Sequence, residues 1–158
     1  MSSTRTKIAI AANVPESFRM LLRAQLDHAR ANGFEVHCIS GPGSYLQDLA
    51  RAGFPIHEVP LTRLLRPAAD VLALLALVRI FRHERFALVH THTPKANLLG
   101  RLAAQLAGVP VVVATEHGFY FYGMTGARRQ FWVWLARLGA RWSDAVFLIN
   151  EEDMDTAR

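Results

Sequence analysis

The stretch Ala87-Leu88-Val89-His90-Thr91-His92-Thr93-Pro94-Lys95-Ala96-Asn97, continuing through Gly108 to Val111-Val112-Val113-Ala114-Thr115-Glu116-His117-Gly118, decides the fold. Ala87 to Thr91 has the length and apolar content of a buried strand. Thr93 and Pro94 suit the cap and first position of a helix that runs through Ala107 and is capped by Gly108. Val111 to Glu116 then reads as a second strand, and the unbroken apolar run from Val109 to Ala114 fits a strand covered on both faces. Strand, helix and strand in such close succession describe a crossover between parallel strands.

Working outward, the same alternation fills the chain. Towards the N-terminus, Lys7 to Ala12 is a strand. Pro15 and Glu16 open a helix with apolar residues at Phe18, Leu21, Leu22, Leu26 and Ala29, and Asn32-Gly33 closes it. Phe34 to Ser40 is a strand, Tyr45 to Ala52 a short helix and Ile56 to Val59 a short strand. Pro67 starts a long helix to about Glu84, with Leu72, Leu75, Val78 and Phe81 or Arg82 rotating around it. On the far side, Ala127 to Arg141 is helical with Phe131, Leu135, Leu138 and Trp142 as its core stripe, and Ala145 to Asn150 is a sixth strand. The expected fold class is α/β, a Rossmann-like parallel sheet of about six strands with helices on both faces. Such sheets bind ligands at the carboxyl ends of their strands.

The 158 residues are 51% apolar and 20% charged, which excludes a disordered chain. The longest apolar run, Val71 to Val78, is too short to span a bilayer, and the N-terminus has no secretory core or cleavage site, so a cytoplasmic location is expected. Cys38 is the single cysteine and reads as a buried strand residue. Four of the thirteen acids lie in the last eight positions, leaving a balance of +8 over the first 150 residues. That excess favours anionic partners. Charge alone supports nucleic acid, which is not an expected partner. Gly-x-Gly-x-x-Gly and P-loop patterns are both missing, which argues against a dehydrogenase and a nucleotide hydrolase.

The strand tips carry the candidate site. Lys95 in the first turn of its helix is unfavourable beside the positive helix end unless an anion is near, which points to phosphate. His90 and His92 project to one side of their strand. They could ligate a metal, but with no matching carboxylates or histidines evident elsewhere none is expected. His117 at the next tip can hydrogen-bond or polarise a ligand, and Gly118 lets the chain turn beside it. The first tip is Asn13-Val14-Pro15, leading to Arg19 and Arg23. Phe119-Tyr120-Phe121-Tyr122, Arg128-Arg129 and Phe131-Trp132-Val133-Trp134 set aromatic rings beside arginines, which suits a membrane interface; a core helix with an interface surface is the alternative.

At these loops the chain resembles retaining family-4 glycosyltransferases of the GT-B fold. The resemblance rests on Leu88 to Ala96, on Leu99-Gly100-Arg101-Leu102-Ala103-Ala104 and on Ala107-Gly108-Val109-Pro110-Val111. It also rests on Thr115-Glu116-His117-Gly118, similar to the family's Thr-x-His-Gly, and on Asn150-Glu151-Glu152-Asp153, similar to its Ser-Glu-Glu-Asp. Gly33-Phe34-Glu35-Val36-His37 and Val59-Pro60-Leu61-Thr62-Arg63 resemble the capsule, exopolysaccharide and lipid-linked oligosaccharide branch.

The resemblance implies an N-terminal acceptor-binding domain over residues 1–150. Residues 151–158 then start a helix leading to a missing domain that holds the nucleotide-sugar. It implies that His117 is catalytic, contacting the transferred sugar. Asn13, Pro15, Arg19, His90, His92, Thr93, Lys95, Glu116 and Gly118 become substrate-binding residues, with no resident cofactor. The first loop lacks the Gly-Gly that many relatives carry there. The implied partners are a nucleotide-sugar donor and a saccharide or lipid-linked acceptor, with the chain peripheral on the inner face of the cell membrane. A half of this kind should be nearly inactive alone. The alternative is a binding and assembly subunit that docks a separately encoded donor-binding chain.

Overall fold

The computed structural model describes residues 5–62, 64, 66–119 and 121–157. Arg63, Tyr120 and Arg158, which figure in the readings above, lie outside the described residues. Among the described residues, strands β1 (Lys7–Ala12), β2 (Glu35–Ser40), β3 (Ile56–Glu58), β4 (Leu88–His92), β5 (Val111–Glu116) and β6 (Ala145–Leu148) form one sheet in the order β3-β2-β1-β4-β5-β6. Every pairing is parallel. The chain winds outward from β1 in both directions, so β1 and β4 flank the point where strand order reverses.

Two cores cover the sheet. On one face Ile8, Ile10, Val36 and Cys38 pack under α1 (Arg23–Ala31) and α2 (Tyr45–Arg51). On the other, Ala9, Ala11, Ile39, Val89 and Val112 meet α3 (Pro67–Glu84) and α4 (Pro94–Ala107), with α5 (Gly126–Ala140) beyond α4. Each fully buried Leu or Phe in these clusters contributes roughly 1.5–3 kcal/mol. Gly100 of α4 permits a close approach to β4, because a Cβ there would stand 2.7 Å from Thr91 Cγ2.

Three helices differ from their expected faces. A π-helical turn, Phe18–Leu22, precedes α1, and the buried stripe is Phe18, Leu22 and Leu26, while Leu21 is exposed. In α3 the buried residues are Ala73, Leu77 and Phe81; Leu72 and Leu75 are each 61% exposed. From Val71 to Val78 α3 is apolar without a break, so periodicity alone selects no face there. Its two acids do. Asp70 pairs with Lys95 at 2.7 Å and Glu84 with Lys7 at 2.7 Å. These are the only two lysines in the chain, and they fix the rotation of α3 from both ends. In α5 only Gly139 is fully buried; of the expected stripe Phe131 is exposed, while Leu135, Leu138 and Trp142 are half-buried. Gly139 lies inward because the Arg101 guanidinium occupies the space a side chain would need, 3.1 Å from its Cβ position.

The final helix, α6 (Glu151–Ala157), begins as expected, with Asn150 Oδ1 accepting from the Asp153 N–H at 2.7 Å. No helix among the described residues is long and apolar enough to cross a membrane.

Candidate active-site edge

Parallel pairing puts the tips of β1, β4 and β5 side by side, as expected from the sequence. Asn13 and Thr93 lock the first two together. The Asn13 N–H donates to Thr93 Oγ1 at 3.0 Å, and Asn13 Oδ1 accepts from the Ala96 N–H at 2.6 Å. Asn13 therefore caps α4 from another strand. Thr93 does not use its own side chain as the cap; its φ of 71° is strained for a β-branched residue, and its hydroxyl also donates to the His92 carbonyl. Pro15 is buried at the entrance to the π-helical turn, and Arg19 on that turn is exposed to solvent.

The histidines form a row on the α1 face of the sheet. Gln25 Nε2 of α1 donates to His90 Nδ1 at 2.7 Å, so His90 carries its proton on Nε2, facing Thr115 Oγ1 at 2.8 Å. The His90 and His92 rings lie 4.1 Å apart. His92 Nδ1 and His117 Nε2 are 3.1 Å apart, while His92 Nε2 is buried with no partner. A buried N–H without an acceptor costs more than an unshared lone pair, which places the His92 proton on Nδ1, donated to His117. The remaining His117 proton then sits on Nδ1, and the half-buried ring offers a donor at the edge.

Burial keeps the row neutral. It lowers His90 to about 4, with His117 adding to the shift, and His92 to about 2, helped by His90 and His117. His117 is also lowered by desolvation, against the opposing pull of Glu116. At neutral pH His117 is a neutral hydrogen-bond donor suited to a hydroxyl or ether oxygen.

Lys95 and Glu116 each have a charged partner within the protein. Lys95 is buried and gives its protons to Asp70, to Thr62 Oγ1 at 3.2 Å and to the Leu64 carbonyl. Its charge is matched within the protein, and no donor remains for a phosphate. Glu116 points to the opposite face of β5 from His117. It pairs there with Arg101 of α4 at 2.9 Å, and Arg101 also donates to the Asn97 carbonyl. Arg101, Asp70 and Gln25 were missed by the sequence reading. A glutamate ending an apolar strand was the one available signal of a buried cation. Gly118, with φ 102°, turns the chain away beyond His117. Beside the Arg101–Glu116 pair, a cavity of about 310 Å³ opens between α5 and β6, lined by Phe119, Phe121, Val133 and Val146.

A doubly wound lobe with its histidines gathered at the carboxyl edge, beside the reversal in strand order, has the architecture of α/β domains that bind ligands in that crevice. The comparisons give the family. Residues 19–158 match the family model described as Glycosyl transferase 4-like domain, and the chain belongs to that family. It is 36% identical over 128 residues to UDP-Gal:alpha-D-GlcNAc-diphosphoundecaprenol alpha-1,3-galactosyltransferase of Escherichia coli, covering 77% of this chain and 32% of that protein. It is 30% identical over 98 residues to the capsular polysaccharide biosynthesis glycosyltransferase CapM of Staphylococcus aureus, covering 62% and 25%. The fold is also that of Acinetobacter baumannii MurG, with a TM-score of 0.63 at 18% identity over 92% of this chain and 41% of the other. The chain thus spans about a third or less of the two curated relatives.

Proposed function

We propose that this chain is the acceptor-side lobe of an enzyme that moves a sugar from a nucleotide-sugar donor to a lipid-linked saccharide, and that His117 donates from Nδ1 to an oxygen of the transferred sugar. In the reaction the bond from the anomeric carbon to the nucleotide diphosphate breaks, a bond to an acceptor hydroxyl oxygen forms, and the proton of that hydroxyl passes to the departing diphosphate. The one carboxylate at the β5 tip, Glu116, is neutralised by Arg101 on the other face. Among the described residues no protein nucleophile stands beside His117, so stabilising the departing diphosphate dominates the barrier. That charge falls to a second, donor-binding lobe, since Lys95 is already paired.

The observation that carries the reading is the half-exposed His117 ring, held in one orientation by His92 at the family's matching strand tip. A covering lobe is supported by β6, where Phe147 is 55% exposed on the histidine face and no described helix covers it. A membrane face is supported by exposed Phe131 and Trp134 on α5, near Arg128 and Arg129. It is supported too by Val71, Leu72 and Leu75 on α3, whose two acids are both paired.

The test is transfer of labelled sugar from UDP-sugars to a diphosphoundecaprenol-linked saccharide. The chain alone should give none, and supplying a donor lobe of the family should restore transfer. In the restored enzyme His117→Ala should reduce kcat by roughly 10²–10³. His117→Asn, whose amide nitrogen mimics Nδ1, should retain more activity than His117→Gln. Robust transfer by the chain alone, or an unaffected His117→Ala enzyme, would overturn the proposal.

A further inference from the structure

A second group of titratable side chains lies at the opposite end of the sheet, where β2 and β3 begin and α3 ends. His37 of β2 and His57 of β3 stand side by side, with His37 Nδ1 2.9 Å from His57 Nε2 and the rings within 9° of parallel. Phe86 walls both in, its ring centroid 5.0 Å from that of His37 and 6.3 Å from that of His57. Glu35 Oε1 lies 2.9 Å from His37 Nε2. Glu84, the last residue of α3, reaches the same place: one ligand atom from each of His37, His57 and Glu84 lies within 4.8 Å of the other two.

The protons follow from the donors and acceptors. An ionised Glu35 only accepts, so His37 donates from Nε2 and directs the Nδ1 lone pair at His57. A carboxylate behind a histidine is the arrangement that orients metal-binding imidazoles. Moving the His57 proton from Nε2 to Nδ1, with no change of charge, leaves two facing lone pairs 2.9 Å apart. Ligand nitrogens of tetrahedral zinc are separated by about 3.3 Å, so a small shift suffices. Lys7 occupies Glu84 Oε2 at 2.7 Å, while Oε1 faces His83 Nδ1 at 3.3 Å near the surface. With Glu35 and Glu84 against Lys7, the fixed charge around the site is net negative.

We propose that His37, His57 and Glu84 bind a divalent transition-metal ion of the zinc type, with Glu35 orienting His37. Two imidazoles and a carboxylate form a borderline donor set that suits zinc, with the fourth position left to water. The ion joins β2, the three-residue edge strand β3 and the end of α3. It lies at the opposite end of the strands from His117, so its role is structural, and the inference stands independently of the transferase reading.

The test uses the full chain stripped with a chelator and titrated with zinc chloride by calorimetry, with Tm followed in parallel. One equivalent should bind, and zinc at a hundredfold excess over Kd should raise Tm by roughly 5–10 °C. His57→Ala should abolish binding, Glu84→Gln should weaken it at least tenfold, and His117→Ala should leave it unchanged. Circular dichroism checks that each variant folds. If His57→Ala does not fold, the wild-type chain with cobalt(II) should show the visible absorption of tetrahedral nitrogen and oxygen ligation, diminished in Glu84→Gln. The inference is overturned by the lack of zinc binding to the wild-type chain, by an unaltered Glu84→Gln titration, or by binding that is lost in His117→Ala instead.

Discussion

The two ends of the sheet each gather histidines, and they differ in what stands behind them. At the carboxyl end His90, His92 and His117 are bonded to Gln25, Thr115 and one another, all uncharged partners. The nearby acid, Glu116, is turned to the other face and matched by Arg101. At the amino end His37 is backed by Glu35 and lies beside Glu84. The same side chain therefore serves two chemistries. Burial without a carboxylate makes a neutral hydrogen-bonding group, and a carboxylate behind the ring makes a candidate cation ligand.

The largest expected effect is at the carboxyl end. Arg101→Ala leaves the Glu116 carboxylate buried without its cation and should cost about 3–5 kcal/mol, read from the urea midpoint at constant m-value. A loss under about 1 kcal/mol would mean that solvent reaches Glu116 and that the two ends are less different than their burial indicates.

Acid sensitivity comes next. With His90 lowered to about 4 in the folded chain, the unfolded chain takes up a proton first as pH falls below its ordinary value of 6.5. The folded state therefore loses stability between about pH 6.5 and pH 4, by roughly 3 kcal/mol from this residue alone. Urea unfolding of His90→Gln across that range should show a shallower fall than the wild-type chain. Equal slopes would place the acid sensitivity elsewhere.

A smaller effect tests the lock between the strand tips. Asn13→Ala removes the cap that β1 lends to α4 and should cost about 1 kcal/mol by thermal unfolding. Least of all, Glu35→Gln at the amino end should change metal-free stability by no more than about 1 kcal/mol, since that carboxylate is partly exposed. Its effect should grow when zinc is present. If it does not, the amino-end histidines are a hydrogen-bonded pair like those at the other end.

Much of this architecture was legible residue by residue. Pro67 and Pro94 mark the starts of α3 and α4 where the structure has them, and β1 and β5 run as their apolar patterns predict. His90, His92 and His117 were legible as edge residues because strand alternation and strand ends are local properties. The facing of α3 was not, since Leu72 and Leu75 are as apolar as Leu77. Only Lys7 and Lys95, reached across the fold, decide which side turns inward. Lys95 looked like a phosphate ligand because a helix start and a lysine can be read locally, whereas Asp70, which neutralises it, lies 25 positions away.

From its order of residues alone, then, this protein is a parallel α/β lobe with a histidine-bearing edge, because helix and strand periods, caps and turn residues act over a few positions. Tertiary structure decided the state of each polar group: Lys95 paired, Asn13 spent on α4, Glu116 held by Arg101, and His37, His57 and Glu84 drawn together from three separate elements. Such partnerships join residues far apart in the chain. The packing of crossover helices on the sheet creates them, and no local pattern encodes which charge will meet which.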